Sequence, residues 1–118
     1  MTRLCSFLYL LASAALCSHM ASATVVTASY YDLPGKVMAD GEIYNPADPS
    51  LAAASQCLFG KRLLVTNPQN GRSIVVSVQD RMPGNMCRKH IDLSVEGAIE
   101  LGFIEKGTTL VEIQELRR

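Results

Sequence analysis

The stretch KRLLVTNPQNGRSIVVSVQD, residues Lys61 to Asp80, consists of two short apolar runs joined by a turn. Residues 61–66 and 73–78 are rich in branched apolar side chains, which favour β-strands. The connector holds a proline and then Asn70-Gly71, a pair that readily takes the positive φ of a tight turn. The pattern predicts a β-hairpin whose second strand ends at a carboxylate, Asp80.

Further strand signals lie on both sides of this hairpin. They are runs of β-branched, aromatic or alternating apolar residues at 24–31, 91–93 and 108–116. Ser94 and Gly102 are good capping residues for a short helix over 95–101. The segment between Tyr31 and Leu51 is rich in proline and glycine and is predicted as mostly loop. Five or six strands with one short helix favour a small barrel or sandwich.

The N-terminus is typical of a secretory signal peptide. Arg3 supplies a positive charge, and residues 4–16 form an apolar run that is short for a bilayer span. Ala21-Ser22-Ala23 fits the cleavage pattern, so we expect export to the periplasm or beyond and one domain over 24–118. A bulky leucine precedes Cys17, which disfavours lipid anchoring.

The charge balance limits the possible partners. The chain has 11 basic and 11 acidic residues, with no basic stripe and no tryptophan. Nothing therefore indicates a nucleic-acid partner. No second apolar segment predicts a membrane span after signal cleavage, and we expect a monomer.

Two cysteines, Cys57 and Cys87, remain after signal removal. In an exported chain of this size they most simply form one disulfide. Closing a loop of about thirty residues would stabilise the fold by roughly 3 kcal/mol. A zinc site is disfavoured because the histidines are only His19, in the signal, and His90.

Asp80 is the strongest candidate for a functional carboxylate. Most acids near turns are solvated, and this remains the alternative. Asp80, however, follows a strand predicted to be buried, where desolvation would raise its pKa and keep it protonated as a general acid. Glu42, in a glycine-containing loop, is the second candidate, because glycosidic bonds are usually cleaved by paired carboxylates.

Four stretches resemble the double-psi β-barrel domain of the rare lipoprotein A family. They are ASYY (28–31), ADGEIYNP (39–46), AAASQCLFGKRLLVTNPQNGRSIVVSVQDRMP (52–83) and HIDLSVEGAIELGF (90–103). The resemblance implies a mainly β fold, a six-stranded double-psi barrel with one or two short helices. It also implies a periplasmic lytic transglycosylase acting on peptidoglycan without metal or cofactor, with a distant likeness to expansins and barwin-type proteins.

Carried over by motif, the resemblance places the catalytic carboxyls at Asp80 and Glu42. One carboxyl would protonate the oxygen between N-acetylmuramic acid and N-acetylglucosamine. The muramyl C6 hydroxyl would then attack the anomeric carbon and leave a 1,6-anhydro end. The alternative is a barrel that binds cell-wall glycan without cutting it.

The sequence departs from the family pattern at three places. Ala54 stands where the family has an active-site histidine, and Met82 replaces a glycine beside Asp80. Cys57 and Cys87 occupy positions where many members have no cysteine, and a bridge between them would tether the Asp80 loop.

Four further residues are assigned to substrate binding: Tyr31, Arg81, His90 and Asp92. Tyr31 is a candidate sugar-stacking platform, and His90 a partial replacement for the missing histidine. Arg81 would lower the pKa of Asp80 if the two side chains paired. For His90 an ordinary strand position is the alternative, and for Asp92 a structural bond to backbone amides.

Overall fold

The computed structural model describes residues 23–84 and 89–117. The predicted signal peptide, except its last residue, and Cys87 lie outside the described residues.

Six strands and two short helices make up the described chain. The strands are β1 (Thr24–Tyr30), β2 (Leu51–Ala54), β3 (Arg62–Thr66), β4 (Ser73–Arg81), β5 (His90–Leu93) and β6 (Thr109–Glu115). The helices are a 3-10 turn, Gln56–Leu58, and α1, Val95–Leu101. The strands close into a barrel in the order β1-β5-β2-β4-β3-β6, which confirms the predicted six-stranded barrel.

The strand pairing is mixed. β1 pairs with β5, and β2 with β4, in parallel. The remaining neighbours are antiparallel, including the predicted hairpin of β3 and β4. Each parallel pair joins strands that are not consecutive in the chain, so long connections must cross the barrel. A further long connection, residues 31–50 between β1 and β2, passes over the barrel wall and borders the pocket described below.

Strand β2 was not predicted from the sequence. Its residues, Leu51 to Ala54, are all buried. Alanine has low intrinsic β propensity, but this segment lies between β4 and β5 and hydrogen-bonds to both. Tertiary pairing therefore decides its conformation. The small side chains also leave room above the strand.

Helix α1 has the predicted caps. The side chain of Ser94 accepts a hydrogen bond from the backbone N–H of Gly97 at 3.0 Å. Gly102 ends the helix at a φ of 80°, in the left-handed region that favours glycine. The buried Asn67 in the hairpin turn donates to the carbonyl oxygen of Leu101 at 2.9 Å. This bond ties the helix end to the β3–β4 hairpin.

The barrel interior is filled by aliphatic side chains from all six strands and α1, and a small second cluster of Met38, Tyr44 and Leu51 packs under the 31–50 loop. No helix within 23–84 and 89–117 is long and apolar enough to cross a membrane.

Candidate active site

An open pocket of about 180 Å³ lies on the outer face of the barrel beside β2. Its lining residues come from four parts of the chain: Tyr31, Leu33, Lys36, Ala53, Asp80, Arg81, Met82, Pro83 and Asp92. Four of the predicted site residues therefore share one cavity.

The pocket floor is a row of paired residues on adjacent strands. Ser29 on β1 pairs with Asp92 on β5, Asp92 pairs with Ala53 on β2, and Ala53 pairs with Asp80 on β4. Paired residues in a sheet point to the same face. The carboxylates of Asp80 and Asp92 thus lie on either side of Ala53. The backbones of the two aspartates are two strand spacings apart, or about 10 Å.

A register shift turns Asp80 toward this face. Ala52 pairs with Val78, but Ala53 pairs with Asp80, so Gln79 is the extra residue on β4. Without the shift, Asp80 would continue the core-facing alternation of Val78. Such a bulge re-aims the side chains that follow it. The carboxylate consequently leaves the apolar core and enters the pocket.

The Asp80 carboxylate is buried and accepts hydrogen bonds on both of its oxygens. Its Oδ1 accepts hydrogen bonds from the backbone N–H groups of Ala39 at 3.0 Å and Arg81 at 2.9 Å. Its Oδ2 contacts the ammonium of Lys36 and accepts from the hydroxyl of Tyr31 at 3.3 Å. The carboxylate side chain is only 4% exposed, whereas that of Lys36 is 38% exposed.

These contacts decide the charge state of Asp80. Burial raises its pKa, but the bond to Lys36, the two backbone N–H groups and the lysine charge together outweigh burial. The pKa of Asp80 therefore lies below its ordinary value, and the side chain is a carboxylate near neutral pH. The sequence-based expectation of a raised pKa and a protonated Asp80 is wrong, because it did not include Lys36.

Tyr31 forms a side wall of the pocket. Its ring stacks on Tyr44 at 4.3 Å between centroids, and the ammonium of Lys36 lies 5.5 Å from its centroid. Burial and the charge of Asp80 raise the pKa of the Tyr31 hydroxyl well above its usual range. Tyr44 in turn donates a hydrogen bond to the backbone carbonyl of Tyr31. Tyr31 is thus a fixed, neutral hydrogen-bond donor at the site.

Arg81 supports the site through its backbone. Its guanidinium donates to Oε1 of Gln56 at 3.0 Å and lies 5.3 Å from the ring centroid of Phe59. The cation that pairs with Asp80 is therefore Lys36, and the guanidinium of Arg81 remains on the exposed rim.

Glu42 lies on the loop that covers one side of the barrel. The residue is exposed, and its backbone carbonyl accepts from Met38 at 2.8 Å. The same loop supplies the Ala39 N–H that binds Asp80. Glu42 is not part of the pocket lining, so its catalytic role stays a prediction.

His90 and Asp92 form a polar cluster with Ser29. The Ser29 hydroxyl donates to Oδ1 of Asp92 and lies 2.7 Å from Nε2 of His90. Nε2 of His90 is also 3.5 Å from Oδ1 of Asp92. Asp92 lines the pocket, while His90 lies behind it on the same face of β5. Among the described residues, the contacts of Asp92 are these side-chain contacts and not bonds to backbone amides.

The structure shows where Ala54, Met82 and Cys57, which depart from the family pattern, lie in the barrel. Ala54 packs in the barrel core, and its neighbour Ala53 faces the pocket. Met82 lines the pocket, and its N–H donates to the carbonyl of Ala54 at 2.9 Å. Cys57 packs against the core. Because Cys87 lies outside the described residues, the disulfide stays a prediction.

Three residues of the site were missed by sequence reasoning: Ser29, Lys36 and Ala53. Lys36 follows a Pro-Gly turn and has no distinguishing pattern. Ser29 alternates with core residues on β1, which indicates only an outward side chain. Ala53 belongs to strand β2, which the sequence pattern did not predict.

Comparison with known proteins agrees with this barrel and pocket. A family model described as lytic transglycolase matches residues 23–113, which is most of the chain. The chain belongs to this lytic transglycolase family, and the resemblance to rare lipoprotein A is confirmed.

Curated relatives include longer proteins and one short one. A probable endolytic peptidoglycan transglycosylase RlpA of Nostoc sp. is 45% identical over 85 residues, covering 71% of this chain and 22% of the relative. RlpA of Haemophilus influenzae, an endolytic peptidoglycan transglycosylase, is 38% identical over 75% of this chain and 31% of its own length. A Synechocystis protein without assigned function, ssl3177, is 37% identical and is covered over 84% of its length. The chain thus spans about a fifth to a third of the two transglycosylases.

Solved structures with the same fold come from different classes of protein. A Streptomyces papain inhibitor superposes with a TM-score of 0.68 at 23% identity, covering 84% of this chain and 98% of the inhibitor. An expansin of Clavibacter michiganensis superposes with a TM-score of 0.64 at 28% identity, covering 81% of this chain and 51% of the expansin. The fold by itself therefore does not define an activity.

Proposed function

We propose that this chain is a periplasmic lytic transglycosylase domain that cleaves the glycan strands of peptidoglycan at the Asp80 pocket. Family membership supports the class of reaction. The observation that carries the proposal is a buried, ionised aspartate at the floor of an open pocket, with a fixed tyrosine hydroxyl beside it. Ordinary turn acids are solvated and lack such an environment.

The reaction needs two proton movements and a stabilised cation. A proton must reach the glycosidic oxygen as the bond to the anomeric carbon breaks, and the attacking C6 hydroxyl must lose one. Positive charge develops at the anomeric carbon between these events. A buried aspartate held as a carboxylate by fixed hydrogen-bond donors stabilises that charge more than water does. We assign this electrostatic role to Asp80, which replaces the general-acid role expected from sequence.

Substrate entry would change the partners of Asp80. The side chain of Lys36 is 38% exposed, and this long side chain can leave Asp80 without unfolding the loop. Tyr31 and the two backbone N–H groups would remain and hold the carboxylate in place. The sugar would then lie against the Tyr31 ring, as an aromatic platform for carbohydrate requires.

The test is incubation of the purified protein with isolated peptidoglycan, followed by mass spectrometry of the products. We expect 1,6-anhydromuramyl ends from the wild type and a loss of at least about 100-fold in Asp80→Asn, in line with the loss of one charge-stabilising group. Glu100→Gln, which removes an exposed carboxylate on α1, is the control and should cut normally. Glu42→Gln in the same assay tests the role predicted for Glu42.

A second candidate function is glycan binding without cleavage. It is favoured by the complete set of hydrogen bonds on Asp80 and by the absence of an imidazole at position 54. In that case the wild type would be retained on insoluble peptidoglycan and would release no anhydro ends. The assay above separates the two functions, since it reads bond cleavage and the pull-down reads binding.

A further inference from the structure

We propose that Asp92, positioned by Ser29 and His90, is the carboxyl group that transfers the proton in this pocket. The inference rests on the proposed function and names the residue that performs its proton steps. It assigns to Asp92 a role that sequence reasoning gave to Asp80 and Glu42.

Asp92 lies in the same pocket as Asp80. Asp92 and Asp80 belong to one row of paired residues and flank Ala53, so both carboxylates border the same cavity. The methyl side chain of Ala53 leaves space between them. A sugar lying over Ala53 would therefore meet one carboxylate on each side.

The carboxyl group of Asp92 is more accessible than that of Asp80. Asp80 is 4% exposed and has contacts on both oxygens, whereas the side chain of Asp92 is 23% exposed. The contacts of Asp92 from Ser29 and His90 both fall on Oδ1. Within the described parts of the chain nothing donates to its Oδ2. Among the residues that the structure describes, Asp92 therefore keeps one oxygen without a donor, whereas both oxygens of Asp80 have donors.

The imidazole of His90 lies beside Asp92. Nε2 of His90 reaches Oδ1 of Asp92 directly at 3.5 Å and through the Ser29 hydroxyl at 2.7 Å. A histidine so placed fixes the orientation of the carboxyl group through the Ser29 hydroxyl. His90 is not part of the pocket lining, so it is a positioning residue.

Asp92 alone can perform both proton transfers of the reaction. Protonated Asp92 gives its proton to the glycosidic oxygen as the bond to the anomeric carbon breaks. The same group, now a carboxylate, takes the proton of the C6 hydroxyl as the oxygen bonds to the anomeric carbon. Asp80 stays ionised throughout, and the enzyme ends in its starting protonation state.

The test compares Asp92→Asn, His90→Gln and His90→Leu with wild type and Glu100→Gln, by the rate of anhydro-end formation and by retention on peptidoglycan. Loss of a general acid costs about 10²–10⁴-fold. We expect that loss for Asp92→Asn with binding nearly unchanged. His90→Gln, whose amide can still hydrogen-bond Ser29, should keep more activity than His90→Leu.

The outcomes are distinct. If wild type cuts and Asp92→Asn cuts within about twofold of it, this inference is wrong and the proposed function stands. If wild type releases no anhydro ends, the proposed function fails and the proton role of Asp92 fails with it. Should Asp92→Asn not fold, carboxyl NMR of the wild type decides: a glycan fragment must shift the Asp92 signal, and an unmoved signal contradicts the inference.

Discussion

Lys36 and Asp80 form an ion pair in which the aspartate side chain is buried and the lysine side chain is 38% exposed. The pair joins the 31–50 loop to strand β4. It also fixes the charge state of the pocket, because Lys36 provides the largest of the contributions that lower the pKa of Asp80. The lysine is therefore the residue whose removal tests the electrostatics of the site.

Replacing Lys36 with methionine should destabilise the fold while keeping the stem of the side chain. A hydrogen bond to a charged group contributes roughly 1.5–3 kcal/mol. Because the ammonium is partly exposed and screened by water, we expect a loss nearer 1 kcal/mol in the free energy of unfolding by urea. Lys61→Met, which breaks the more exposed pair with Glu115, is the matched control and should cost less. Equal losses for the two variants would contradict a special role for Lys36.

Acid should weaken the fold through Asp80. The pKa of Asp80 is lower in the folded chain than in the unfolded chain. The ionised side chain therefore stabilises the fold fully at pH values above its unfolded pKa of about 4. This stabilisation is lost as the pH falls through the folded pKa. The stability difference between wild type and Asp80→Asn should therefore be largest near neutral pH and shrink below about pH 4. Unfolding measured by circular dichroism across this range gives the curve. A difference that grows toward acid would mean that the folded pKa is raised.

Much of the fold could be predicted from local patterns, because hairpin turns, alternation and caps are short-range signals. Asn70-Gly71, Ser94 and Gly102 act within a few residues of their own positions, and the structure confirms each of them. Strand β2 was missed because three alanines carry no strand signal and the segment is held by its neighbours.

The site was predicted less completely, for a related reason. Asp80, Tyr31 and Asp92 were identified, and the pocket brings them together. The charge state of Asp80 depends on Lys36, which is 44 residues away in sequence. Its orientation depends on a register shift against β2. Neither a distant partner nor a bulge leaves a pattern in the residues around Asp80.

Introducing histidine at position 54, where the family pattern has one, should damage this barrel. The Ala54 side chain is fully buried in the core, so an imidazole there would be overpacked and poorly hydrogen-bonded. Each of these effects costs about 1–3 kcal/mol, and we expect Ala54→His to lose at least about 3 kcal/mol in urea unfolding. Ala53→His is the matched control, because Ala53 faces the open pocket and its imidazole would lie between Asp80 and Asp92. That variant should fold with a loss below about 1.5 kcal/mol. If Ala54→His is the more stable of the two, the orientation of β2 is the reverse of the one described here.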